Sequence, residues 1–188
     1  MSSRVEPAHR ASARAGPRTL VVRGLSARAQ RGVIQLGCLR FPCTLGRSGT
    51  VALKREGDGA TPAGVWVLHE VLYRPDRLRR PRTGLPLRVL RPDAGWCDAP
   101  GDRNYNRAVR HPYRASAERL WRADSLYNVV VVLGYNDRPR MRGRGSAIFM
   151  HLARPDLGPT EGCIALRQPH LLRLLAQLGP GAAVRIGQ

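Results

Sequence analysis

Apolar and polar positions alternate in short runs along most of this 188-residue chain, with glycine and proline between the runs. Thr19-Leu-Val-Val-Arg23 is a β-branched run, and Gly32 to Phe41 alternates loosely before Pro42, as a strand or hairpin does. A glycine turn leads into Val51-Ala-Leu-Lys54, and Val65-Trp-Val-Leu-His-Glu-Val-Leu72 is the next β-like segment. Leu126 to Gly134 contains four consecutive valines, apolar on both faces, which predicts a central buried strand. Ala147-Ile-Phe-Met-His151 follows as a strand with His151 at its C-terminal end, and Ile164 to Leu166 is another short apolar run. Only Gln168 to Leu178 has helical spacing, with Leu171, Leu172, Leu174, Leu175 and Leu178 on one face. Gly179-Pro180-Gly181 stops that helix, and Ala183 to Ile186 can close a sheet. The pattern predicts a mainly β fold, a sandwich or barrel, with a C-terminal helix.

Residues 73–127 break this pattern. They are Arg/Pro-rich and sparsely patterned, with Trp96, Tyr105, Tyr113 and Trp121 scattered through them. A segment this long inside a compact domain is functional or disordered. The aromatics and the turn-rich Gly95 to Asn106 favour an ordered, loop-rich insert that caps a groove. Ser116 to Trp121 reads as a short helix capped by Ser116. The first 18 residues, rich in Arg, Ala, Ser and Pro without an apolar core, read as a disordered basic tail and not as a signal peptide. Residues 19–188 then form one domain. No apolar run approaches the length of a membrane span.

The formal net charge is +19, and all but one of the 32 basic residues are arginine, Lys54 being the sole lysine. Dispersed charge of this kind makes a solvated surface, or attracts an anionic polymer such as nucleic acid or an acidic wall polymer. No arginine run interleaved with aromatics and no nucleic-acid motif is present, so specific nucleic-acid recognition is not expected. Cys38, Cys43, Cys97 and Cys163 have no metal-ligand spacing, which argues against a zinc site. If Cys163 remains a thiol, the other three allow one disulfide and one spare thiol.

His151 and Cys163 lie twelve residues apart, across a loop containing Pro155, Gly158 and Pro159 that can fold back. A thiol is a nucleophile only as thiolate, and a neighbouring imidazole is the usual means of making one. Gly162, without a Cβ, allows a tight turn in which the N–H groups of Gly162 and Cys163 point at one carbonyl oxygen, forming an oxyanion hole. The same residues also suit a plainer role, a cysteine as small buried hydrophobe and a histidine at an exposed strand end. The loop Arg55 to Gly64 is a connector or lines a site. Asn104, Tyr105, Asn106, Tyr135 and Asn136 are polar turn residues, suited to binding a peptide backbone or simply to making turns.

Thr160-Glu-Gly-Cys-Ile-Ala-Leu166, with His151 upstream, resembles the L,D-transpeptidase catalytic domain (YkuD type). That family's motif is a His, a variable spacer, then Ser/Thr-x-Gly-Cys, an apolar residue and usually Arg. Lys54-Arg-Glu-Gly-Asp-Gly-Ala-Thr-Pro-Ala-Gly64 resembles its loop of Gly, Thr-Pro and Gly before a strand, and the resemblance runs from residue 19 to 187. It implies a YkuD-like β-sandwich that acts on peptidoglycan stem peptides with no metal or other cofactor, in the periplasm or cell envelope. Carried over, Cys163 would attack the carbonyl between the L-centre of a diamino acid and a terminal D-alanine. His151 would take the thiol proton, and the Gly162 and Cys163 N–H groups would hold the oxyanion. Thr160, Glu161, Arg167, Tyr135, Asn136, Asn104 and Tyr105 would surround the substrate. Glu161 stands where many members have His, Ala165 where Arg is usual, and Leu152 where Gly or Ser commonly follows the histidine. Carboxylate recognition then passes to another arginine, Arg167 among them. The alternatives are an L,D-carboxypeptidase, in which water accepts the acyl group, and a non-enzymatic cationic module that binds wall or nucleic acid. Oligomeric state is not legible in the pattern.

Overall fold

The structure, a computed structural model, describes residues 18–187. The basic tail expected over residues 1–18 therefore lies outside the described residues except for Arg18, whose guanidinium donates to Gln177 Oε1 at 2.7 Å.

The first alternating run is strand β1 (Thr19–Gly24), and the second resolves into a hairpin of β2 (Arg31–Leu36) and β3 (Leu39–Thr44). The expected strand Val51 to Lys54 is shorter: only Thr50–Val51 (β4) pairs, with Thr61–Pro62 (β5). Beyond Val51, Leu53 faces solvent and Lys54 is buried, the reverse of what an apolar strand would do. Next come β6 (Gly64–Tyr73) and, inside the insert, β7 (Leu87–Val89), β8 (Ala94–Cys97), β9 (Ala108–Arg110) and β10 (Ala117–Arg119). The chain ends with β11 (Val129–Leu133), β12 (Phe149–Leu152), β13 (Ile164–Leu166), helix α1 (Gln168–Leu175) and β14 (Ala183–Gly187).

The main sheet runs β11-β12-β13-β3-β2-β1-β14-β6-β7, and β11 also pairs with β6. The sheet thus closes on itself as a barrel, with β7 added beside the C-terminal half of β6. Closure leaves no free edge along the ring. The long β6 makes it possible: its first residues pair with β14 and its later ones with β11. Inside lie Leu20, Val22, Ile34, Val131, Met150, Ile164 and Leu166, together with Leu171, Leu174 and Leu175 of α1. Each such fully buried side chain contributes about 1.5–3 kcal/mol. The helix stops at Leu175, short of the expected Leu178, because the next turns tighten to i−3 bonds (Gln177 N–H to Leu174 O, Leu178 N–H to Leu175 O). Leu178 still reaches the core.

The insert is more regular than its composition suggests. Its β8, β9 and β10 form a three-stranded sheet in the order β10-β8-β9. The helix expected over Ser116 to Trp121 is β10 instead, Glu118 opposite Trp96. Six residues cannot sustain an isolated helical turn against a ready strand partner. This small sheet covers the outer face of β11 and β12. Leu90, Leu120, Tyr127, Val130, Val132, Phe149 and Cys163 form a second apolar cluster there, with Trp96 and Trp121 against it. The valine run is therefore shared: Val129 and Val131 face the barrel interior, Val130 and Val132 the cap. The buried Arg74 ties the far end of the cap, lying 3.5 Å over the Trp121 ring and donating to Arg122 O at 2.7 Å.

Candidate active site

Strands β12 and β13 are parallel, with Met150 opposite Ile164 and His151 opposite Ala165. Side chains alternate along a strand, so Met150, Leu152, Ile164 and Leu166 fill the barrel. Phe149, His151, Cys163 and Ala165 face outward, under the cap. A parallel pair needs a returning connection. Residues 153–163 supply it and bring Cys163 back to the start of β12. There the Phe149 N–H donates to Cys163 Sγ at 3.3 Å.

Between barrel and cap lies a cleft of about 420 Å³. His151, Cys163 and Ala165 form its barrel wall, and Asp98, Glu118, Arg122 and Tyr127 its cap wall. Loops close the rest with Lys54, Glu56, Ser146, Arg154, Thr160 and Glu161. Tyr127 stands edge-on to His151, ring centroids 5.1 Å apart, and donates through its hydroxyl to Glu118 Oε1 at 2.6 Å.

His151 is 6 % exposed. Its Nδ1 lies 2.8 Å from the Leu152 carbonyl, so Nδ1 carries the hydrogen and Nε2 keeps its lone pair for the cleft. Burial lowers its pKa to about 4, and the charges of Arg122 and Arg154 push the same way. At neutral pH it is an uncharged base. Cys163 is 8 % exposed, and its thiol donates to the Ala147 carbonyl at 3.2 Å. Burial raises its pKa to about 12, with Glu118 adding to the rise and the Phe149 N–H and Lys54 opposing it. Burial thus pushes both groups toward their neutral forms, thiol and imidazole. Among the described residues no hydrogen bond joins the two.

The turn before Cys163 is built around Thr160 and Gly162. Thr160 Oγ1 donates to the Cys163 carbonyl at 2.6 Å and accepts the Gly162 N–H at 3.2 Å. Gly162 has φ +134°, and a Cβ there would lie 2.7 Å from the Ala60 carbonyl oxygen, so only glycine fits. The Gly162 N–H, expected to face a substrate oxygen, is thus engaged inside the turn. Glu161 lines the cleft and pairs with the exposed Arg47.

A family model, that of the L,D-transpeptidase catalytic domain (YkuD), matches residues 30–186. The chain belongs to that family. A solved structure, Bd1075 of Bdellovibrio bacteriovorus, is similar at 14 % identity with a TM-score of 0.45, over 90 % of this chain and 47 % of that one. This chain spans about half of that protein's length. Among curated proteins none matches.

The family's fold was legible, but much of the expected surround falls elsewhere. Arg167 is the exposed residue before α1 and does not line the cleft; the guanidinium groups that do are Arg122 and Arg154. Asn104 binds Tyr113 and Asp102 within the insert. The Tyr105 hydroxyl donates to Glu56 and accepts the Gly145 N–H, clamping the cap to two loops. Tyr135 donates to Arg144 O at 2.5 Å, and Asn136 folds the 140–146 loop through Met141 and Gly145. None of these four is on the cleft wall, because turn chemistry and site chemistry use the same residue types. Asn106 positions a neighbour of Cys163: its Oδ1 accepts the N–H of Ala147, whose carbonyl receives the Cys163 thiol. Lys54, Glu118, Arg122 and Arg154 were not anticipated. For Lys54 a signal existed, as the sole lysine beside the Glu-Gly-Asp loop. All four cysteines are free thiols, Cys38 alone exposed. No group of three metal-ligating side chains occurs among the described residues.

Proposed function

We propose that this protein is a cysteine-dependent L,D-transpeptidase acting on peptidoglycan stem peptides through a thioester. The observation that carries this is the shared wall of His151 and Cys163, projecting from adjacent parallel strands into one cleft. On substrate binding the Cys163 S–H turns from the Ala147 carbonyl to His151 Nε2. Catalytic hydrogen bonds commonly tighten only in the substrate complex. Sγ then bonds to the carbonyl carbon as Nε2 takes the proton. The tetrahedral intermediate collapses, the C–N bond breaks, and the protonated imidazole gives its proton to the departing D-amino acid amine. A second stem peptide's neutral amine attacks the thioester, its proton passing through His151 back to sulfur. Before substrate binds, burial favours the uncharged imidazole, the form that a general base needs to begin the cycle.

Cleft chemistry supports a substrate with charges of both signs. Arg154 offers a guanidinium to a carboxylate, and Arg122, whose Nε and Nη2 bind Asp124, has its other amino group left for one, the role that Ala165 leaves open. Asp98 and Glu118 face an amine, and the buried Asp98 Oδ1 has no hydrogen-bond partner among the described residues. Its expected site of action is the cell envelope, which fractionation of cells tests. No helix among the described residues is long and apolar enough to cross a membrane.

The direct test incubates purified protein with disaccharide tetrapeptides and resolves the products by mass spectrometry. Cross-linked dimers identify transpeptidation, tripeptide alone identifies hydrolysis, and Cys163→Ala removes either. An active Cys163→Ala protein, or no product at all, sinks the reading. Binding that falls steeply with salt and survives Cys163→Ala, without acyl transfer, supports the cationic binding module instead.

A further inference from the structure

Lys54 is the sole lysine of a chain otherwise basic through arginine, and it is 3 % exposed. Its ammonium donates to Asp58 Oδ1 at 2.6 Å and to the Arg55 carbonyl at 3.4 Å. Asp58 is held in turn by the N–H groups of Arg55 and Ala60, at 2.7 and 2.8 Å. An ammonium has three hydrogens, and these contacts use two among the described residues.

Two glycines mark where the side chain runs. A Cβ on Gly145 would lie 2.9 Å from Lys54 Cε, and a Cβ on Gly162 3.3 Å from Nζ. The charge is therefore pinned beside the turn that presents Cys163, and Lys54 lines the same cleft as Cys163 and His151. A compact ammonium fits this space where a planar guanidinium would crowd both turns. Meanwhile the Gly162 N–H is spent on Thr160 Oγ1, and Glu118 and Glu56 bring negative charge to the cleft. The oxyanion that forms as the Cys163 sulfur adds to a carbonyl carbon is stabilised by a fixed positive group close to that turn.

We propose that Lys54 is a catalytic residue of the acyl transfer, its ammonium donating a hydrogen bond to the carbonyl oxygen as Cys163 adds to the carbon. This rests on the reading of the cleft as a cysteine acyl-transfer site. The S–C bond forms, the carbonyl π pair moves to oxygen, and the S–H proton goes to His151 Nε2. The oxyanion rests against Nζ, which keeps all its protons. On collapse the pair returns to the carbonyl and the leaving group departs.

The test uses p-nitrophenyl acetate, a neutral ester with no stem-peptide features, and iodoacetamide, which alkylates sulfur without forming an oxyanion. Both are followed by peptide mapping at Cys163. The paired change Lys54→Met with Asp58→Asn keeps the buried site uncharged, and Lys54→Gln serves if that pair does not fold. Loss of the ammonium is expected to slow acetylation of Cys163 by about 10²-fold, with a much smaller loss in alkylation. Equal losses in both reactions would mean that Lys54 acts only by ionising the thiol, and would overturn the proposal. Unchanged acetylation would overturn it too, as would an effect confined to KM for stem peptides. A wild-type protein acetylated at Cys163 but inert toward stem peptides sinks the proposed substrate while the Lys54 comparison is still read.

Discussion

Met150 and His151 are neighbours in one strand, yet they belong to two different regions. Met150 enters the barrel core, an apolar interior closed by β6 and β11, while His151 enters the cleft under the cap. The core asks of each residue only shape and apolarity. The cleft brings thiol, imidazole, ammonium and carboxylates together, and burial shifts the thiol and the imidazole toward their neutral forms. One alternation feeds both regions, so a single register sets fold and chemistry together.

Exchanging the roles of the two neighbours is the strongest way to break that comparison. His151→Asn should lower acyl transfer by roughly 10²–10⁴-fold with little change in unfolding. Met150→Ala should instead cost about 2–5 kcal/mol of stability and leave turnover per folded molecule near wild type. Steady-state kinetics beside denaturant titration separates the two. An unstable His151→Asn protein, or an inactive but folded Met150→Ala, would show that the regions are not separable.

The turn that joins the regions comes next. Gly162→Ala places a Cβ against the Ala60 carbonyl at a positive φ, with an expected loss of about 1–3 kcal/mol and a displaced Cys163. Both thermal unfolding and Cys163 acylation should report it.

Protonation then sharpens the contrast, because the cleft holds a buried imidazole beside a buried thiol, whereas the core's one shifted group is the Cys43 thiol, which adds to any loss of stability above pH 9. The folded pKa of His151 is about 4 against 6.5 unperturbed. Between those values the unfolded chain binds a proton that the folded chain does not. Stability should therefore fall as pH drops from 6.5 to 4, by about 3 kcal/mol at most, and His151→Asn should flatten that slope. Cys163 acts at the other end: its folded pKa of about 12 against 9.0 makes stability fall as pH rises above 9. For the same reason kcat/KM should hold down to about pH 4, and iodoacetamide should react slowly with Cys163 at pH 7. An activity limb near 6.5, or rapid alkylation at neutral pH, would point to an ionised pair.

The smallest effect is expected at the rim. Glu161→Gln breaks an ion pair with an exposed Arg47 and should change stability by about 0.5 kcal/mol or less. A large loss of activity there would make Glu161 part of substrate recognition.

Much of the barrel was legible in the sequence, for a local reason. Alternation in Thr19 to Arg23, the hairpin near Gly37, the doubly apolar valines and the leucine face of α1 are decided over a few residues. Each such pattern survives whatever surrounds it. The neighbourhood of Cys163 and His151 was legible too, through Gly162 and the returning loop. Ser116 to Trp121 was misread because its fate is decided by β8, about twenty residues upstream. Tyr105, Tyr135 and Asn136 looked like binding residues because a polar turn residue is the same letter whether it faces a ligand or a loop.

By itself, then, the sequence determined most strands of the barrel, that one helix follows Cys163, and that a cysteine and a histidine stand close in the chain. The tertiary structure alone decided that the sheet closes through β6 and β11, that the insert becomes a cap, and that the Cys163 thiol is buried against the Ala147 carbonyl. It also decided that the lone lysine lies beside Gly162. Secondary structure follows from steric preferences that reach a few residues along the chain. Burial, charge state and approach across a cleft are sums over atoms from distant segments, and exist only once the chain has folded.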